Sequence, residues 1–130
     1  MDAKELLERY AKGERDFKNA QLSGIDLKGA DLSGINLNNA NLSGAYLSEA
    51  ILTKACLVGT NFSRADLSGA DLSGVDFRSS NLTNANLDKA NLKRANLSNS
   101  NLTMAKLRGS ELIQVNLEGT NLQNVNFQRA

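Results

Sequence analysis

At 130 residues, 41% hydrophobic and 22% charged, the chain has one domain's worth of sequence and enough apolar content for a single core. Fifteen Lys and Arg against fourteen Asp and Glu leave a net charge of +1, which argues against a dedicated nucleic-acid binder and equally against an acidic mimic of one. No histidine and one cysteine, Cys56, exclude histidine-based catalysis, Cys/His zinc sites and intramolecular disulfides by count, and neither an enzyme nor a cofactor is expected.

The first element in chain order is a short helix. Asp2, with Glu5 three places on, reads as a capping box, and Ala3, Leu6, Leu7, Tyr10 and Ala11 share one face at helical spacing. Gly13 is placed to end it. Residues 1–13 are therefore expected to form a helix that caps the remainder of the chain. This stretch is charged where a secretory leader would be apolar, and no apolar run reaches membrane-spanning length, so a soluble cytoplasmic protein with no membrane partner is expected.

From Phe17 the chain repeats every five residues. All twenty-three positions from Phe17 to Phe127 are Leu or Phe, and all four phenylalanines of the chain lie in this register. The position two residues earlier in each unit, from Ala20 onward, is small or β-branched throughout, with thirteen Ala among twenty-three residues. Between the two stands Asp or Asn in seventeen of twenty-three cases, so the unit reads A-(D/N)-L-x-x. A period of five would scatter the leucines around an α-helix and alternate them between the faces of a strand. A coil in which each pentapeptide makes one side and turns a corner sends every Leu and Ala inward. Nine of the ten glycines lie two residues after the central Leu or Phe, where a type II turn needs positive φ. Type II turns are thus expected at Gly69, Gly74 and their equivalents, and a different turn where Asn, Lys, Arg or Glu stands instead. Thr60, Ser80, Ser100 and Thr120 fall in one column if a coil has twenty residues, which favours four sides.

With these residues in view, the chain from about Asp16 to Ala130 resembles the pentapeptide-repeat proteins. The resemblance implies an all-β solenoid, a right-handed quadrilateral β-helix with four repeats per coil and a short N-terminal capping α-helix. Residues 14–130 would form a single domain of almost six coils, about 27 Å long at about 4.8 Å per coil. Its implied role is a non-enzymatic structural or protein-interaction module. An alternative also comes from the resemblance: some members mimic duplex DNA and bind a type II topoisomerase, but they are acidic rods that dimerise through a C-terminal helix.

Two surface features are candidate interaction sites. One side of a twenty-residue coil carries Asn41, Asn61, Asn81, Asn101 and Asn121 with hydroxyl neighbours, and Arg64 is the one charged residue among its outward positions. Such a ladder either docks a partner or ties coils together through stacked amides. Charge is also uneven along the chain. Seven acids and four bases lie between Asp16 and Asp76, and three acids and seven bases from Arg78 on, with Lys89, Lys93, Arg94, Lys106 and Arg108 expected around one corner. Cys56 takes an outward site and is expected to be a free, exposed thiol. The final coil around Leu117, Leu122 and Phe127 has no cap of its own in this sequence, so its end is expected to be covered by a second molecule, most simply a homodimer through the C-terminal coil.

Overall fold

A computed structural model describes all of residues 1–130. Its register is uniform: nineteen β-bridges, all parallel, join residue i to residue i+20, from Asp16–Asn36 to Lys106–Asn126. Twenty residues therefore complete one coil, and each coil has four five-residue sides. Every bridge is a single residue pair, because the chain turns a corner before a longer strand can form.

In a repeat with Asp or Asn before the central Leu, inside the stack, all five backbone amides can be assigned, as buried or stacked backbone requires. In the repeat around Leu82, the Leu82 amide donates to the Asn101 carbonyl of the next coil (2.7 Å), and the turn residue Asn84 to the Thr103 carbonyl (3.0 Å). The Asn81 amide donates back to Thr60 of the previous coil (3.0 Å), and Ala85 closes the β-turn onto Leu82 (3.0 Å). The fifth amide, that of Thr83, has no backbone partner and donates to Asn81 Oδ1 (3.0 Å). That last bond explains the preference for Asp or Asn before Leu: the short carboxyl or carboxamide reaches the amide two residues on, which a longer side chain overshoots. Where that site is Cys56 or Lys106, the missing acceptor comes from the coil below, Asn38 Oδ1 to Val58 N and Asp88 Oδ1 to Arg108 N, both at 2.9 Å.

Every turn has positive φ at its third residue. Gly69 and Gly74 lie at +66° and +68°, as a type II turn requires, but so do Asn84 (+59°), Lys89 (+60°) and Met104 (+62°). The expectation of a second turn type at non-glycine corners is therefore corrected. The turn amide must point at the next coil's carbonyl, and that bond fixes the backbone whatever the side chain.

Inside, one continuous core takes the inward residues from Phe17 to Leu107, with Phe62 and Phe77 packed edge to face at 5.7 Å. Thr60, Ser100 and Ser110 are buried there with hydroxyls bonded to the carbonyls of Leu37, Leu97 and Leu107. The expectation of full burial fails in the last coil. Leu112, Leu117 and Phe127 are only half-buried, and Leu122 is 38% exposed, because no further coil lies above them.

Helix α1 spans Ala3–Ala11. Asp2 caps it, its carboxylate accepting from the Glu5 amide at 2.9 Å. Gly13 (φ +99°) ends it in a Schellman motif, with Gly13 N bonded to Tyr10 O and Glu14 N to Arg9 O. The helix closes the first coil by a narrower face than its apolar pattern implies. Leu6 is fully buried, Ala3 and Tyr10 pack against the core, and Leu7 and Ala11 face outward. The Tyr10 hydroxyl donates to the Ser33 carbonyl (2.7 Å), and Arg9, ion-paired with Glu14, lies 5.0 Å over the Phe17 ring. No helix is long and apolar enough to cross a membrane.

Candidate functional site

Alternation along each side sends two of five residues into the core and the others onto the walls, so the surface is mostly flat. One cleft interrupts it, about 480 Å³ in volume, near the C-terminal end and lined by Asp88, Lys89, Arg108, Gly109, Gln128 and Arg129. Its origin is the twenty-residue register. Lys89, Gly109 and Arg129 are turn residues stacked in one column, and the glycine between two long basic side chains leaves a notch. On the same wall Asp88 lies beneath Arg108. The Arg108 guanidinium donates to Asp88 Oδ2 through Nε (3.0 Å) and Nη2 (2.6 Å) while the Arg108 amide takes Oδ1. These bonds hold the Asp88 carboxyl below the usual carboxylate range and push the Arg108 guanidinium up. Asp88 is thus neutralised within the wall, and Lys89 and Arg129, which form no ion pair, supply the cleft's net positive charge.

The five bases expected around one corner divide between two sides. Lys89, Lys106 and Arg108 belong to the cleft's wall, and Lys93 and Arg94 to the next. Lys93 is paired with Glu111 at 3.3 Å. Asp88, Gln128 and Arg129 were absent from the sequence-based set, although Arg129 stands two coils above Lys89 in the same column and was findable from the period alone.

Asn41, Asn61, Asn81, Asn101 and Asn121 do fall on one wall, joined in sequence by consecutive bridges. Each Oδ1 accepts from the amide two residues on, at 2.9–3.0 Å, and Thr83 and Thr103 add their hydroxyls. The oxygens therefore brace their own turns rather than link one Asn to the next. Asn41 also donates across coils to Gln21 Oε1 at 3.4 Å. Cys56 is exposed and free. No group of His, Cys, Asp or Glu is arranged to hold a metal.

A family model described as pentapeptide repeats matches in eight copies between residues 16 and 130. Among solved structures, the chain is similar to a pentapeptide repeat protein from the cyanobacterium Cyanothece 51142, at 33% identity and TM-score 0.53, covering 95% of this chain and 98% of that one. It is similar to a pentapeptide repeat protein of the Arabidopsis thaliana thylakoid lumen, at 35% identity and TM-score 0.59, over 80% and 66% of the two chains. A third likeness is to HetL, a pentapeptide repeat protein involved in heterocyst differentiation regulation from the cyanobacterium Nostoc sp. strain PCC 7120. At 20% identity and TM-score 0.58, over 97% and 94% of the chains, that likeness is one of fold. No curated protein matches significantly.

Proposed function

Since the chain belongs to the pentapeptide-repeat family, we propose that it is a non-enzymatic protein-interaction module of the cytoplasm, a right-handed quadrilateral β-helix over residues 14–130 closed by the segment 1–13, that docks an acidic partner at its C-terminal cleft. The observation that carries this reading is the pairing pattern in the cleft: Asp88 is spent on Arg108, and Lys89 and Arg129 are left facing an open notch. Exposed cations beside a concavity contribute steering and selectivity toward acidic partners. A catalytic reading has no support in the same place, because the cleft offers no nucleophile with an adjacent base.

Two narrower readings have one observation each. The wall of asparagines is a second candidate docking surface, favoured by its low charge. The exposed Leu122 favours the homodimer through the C-terminal coil, and a dimer strengthened by salt would support it. The duplex-mimic role toward a type II topoisomerase is opposed by the net charge of +1 and the basic C-terminal half. The test is affinity capture from native lysate with the purified chain and with K89E/R129E as parallel baits. We expect an acidic protein retained by the first and lost from the second. Equal recovery on both baits overturns the cleft as the docking site, and a topoisomerase in the eluate supports the duplex-mimic role.

A further inference from the structure

The turn column that holds the cleft alternates glycines with long charged side chains. Stacked by amide-to-carbonyl bonds from coil to coil, it runs Gly29, Glu49, Gly69, Lys89, Gly109, Arg129. Its charge changes sign midway, between Gly69 and Lys89. The rest of the wall follows the same division: Asp26, Lys28 and Asp66 accompany Glu49 in the lower half, and Lys106, Arg108 and Asp88 accompany Lys89 and Arg129 in the upper. Lys28, the base of the lower half, is paired with Asp26 at 3.8 Å. No other turn column holds both signs of charge.

The two signs are not satisfied within one chain. Glu49 is exposed, forms no ion pair, and leans its carboxylate over Gly69. Lys89 and Arg129 have no acid either, because Asp88 is engaged by Arg108. The Lys89 stem lies along the wall, its Cγ 3.6 Å from where a Cβ on Gly109 would stand.

Consider a second copy laid on this wall about a two-fold axis perpendicular to the rod, level with the midpoint between Gly69 and Lys89. Every long residue then meets a glycine: Glu49 meets Gly109, Lys89 meets Gly69, and Arg129 meets Gly29. The Glu49 carboxylate enters the notch from outside, between Lys89 and Arg129. Sliding one copy by a single coil sets glycine on glycine and long residue on long residue. Turning it parallel sets Glu49 on Glu49 and Lys89 on Lys89. The centred antiparallel register matches both shape and sign along the whole column.

We propose that the acidic partner of the cleft is a second copy of this chain, set antiparallel, with Glu49 of each copy seated at Gly109 of the other between Lys89 and Arg129. The inference rests on the cleft being a docking site for acidic groups, and it identifies the acid. Because the contact is two-fold it closes on itself, so the product is a dimer in which the same contact is made twice. The wall is one pentapeptide wide, so the interface is small and the dimer belongs to the weak class, loosened by salt.

The experiment is sedimentation velocity on the full chain over a concentration series at low and high salt, with circular dichroism to follow folding. The variants are Glu49→Lys and K89E/R129E. Both keep a side-chain type that this backbone already carries at positive φ, as Lys54 and Glu49 do. Wild type is expected to dimerise at low salt and to dissociate at high salt. Each variant alone should be monomeric where wild type is dimeric, since both of its contacts oppose like charges. An equimolar mixture of the two should recover the dimer, because both contacts then join opposite charges. Glu118→Lys, with the same net charge as E49K but on another wall, should dimerise as wild type does. A carbodiimide should join Glu49 of an isotopically labelled copy to Lys89 of an unlabelled one. A wild type that stays monomeric at low salt, a dimer that survives E49K, or a mixture that fails to recover overturns the proposal. Should wild type stay monomeric while K89E/R129E still loses an acidic protein from lysate, the cleft stands as a docking site and the second copy falls as its occupant.

Discussion

The acceptor before each leucine is the residue-scale device on which the coil rests. All seventeen Asp and Asn at that site bond the amide two places on, and Val58 and Arg108 are rescued from the coil below. The Thr53 amide has neither kind of partner, because Ile51 occupies the site and no carboxamide lies beneath. Ile51 is 39% exposed, so little burial is lost by replacing it. Ile51→Asn is therefore expected to stabilise the protein by about 1 kcal/mol, the net value of one hydrogen bond. A melting temperature at or below wild type would contradict this. Asp88 supplies a pH-dependent case. Its folded-state pKa is depressed by Arg108, so its contribution is present above the ordinary carboxylate range and lost as pH falls through the folded value. Wild type should be more stable than Asp88→Asn at neutral pH and should lose that advantage in acid, as denaturant titrations across the two conditions will show. High salt should shrink the difference, since Arg108 is well exposed.

At the scale of elements, the coil and the helix were not equally readable from sequence. The period of five dictated which residues point inward, and the column of Thr60, Ser80, Ser100 and Thr120 pointed to twenty residues per coil. The helix pattern placed Leu7 on the buried face although the docking surface is narrow enough to take only Ala3, Leu6 and Tyr10. Turn type was not readable, because glycine statistics describe what a corner prefers, and the inter-coil bond at the turn amide decides what it adopts. The cleft was half readable: Lys89 and Arg108 were among the expected bases, while Asp88 mattered as their neutraliser and Arg129 through its column. Stability should follow the same division. Amides of the middle coils, such as that of Leu72, bond within a stack closed on both sides, while those of Leu117 and Leu122 have no acceptor. Hydrogen exchange should be slowest at Leu72 and fastest, within the solenoid, in the last coil. Uniform protection along the chain would show that the end is covered in solution.

For the whole molecule, a core that runs unbroken from Leu6 to Leu107 means that one defect is not confined to its own repeat. Leu72 is fully buried in the middle of the stack, and Leu72→Asp places a carboxylate there with no partner, a penalty of about several kcal/mol. That is a large share of the total stability of a domain, about 5–15 kcal/mol, so the variant is expected not to fold under conditions where wild type melts normally. A near-native melt would refute the continuous core. The strict spacing of twenty also ties the number of units to the layout of the walls. Because every pentapeptide makes equivalent inward contacts, removing or inserting one whole unit preserves the inward pattern, yet it shifts every later residue by one side of the coil. Deleting five residues between Leu42 and Leu82 would swing the cleft of Lys89 and Arg129 from its present wall to the neighbouring one, in the manner of a combination lock advanced by one click. Surface arrangement in this chain is thus set by counting units, and a change in their number can re-aim a binding site with no change to any residue that forms it.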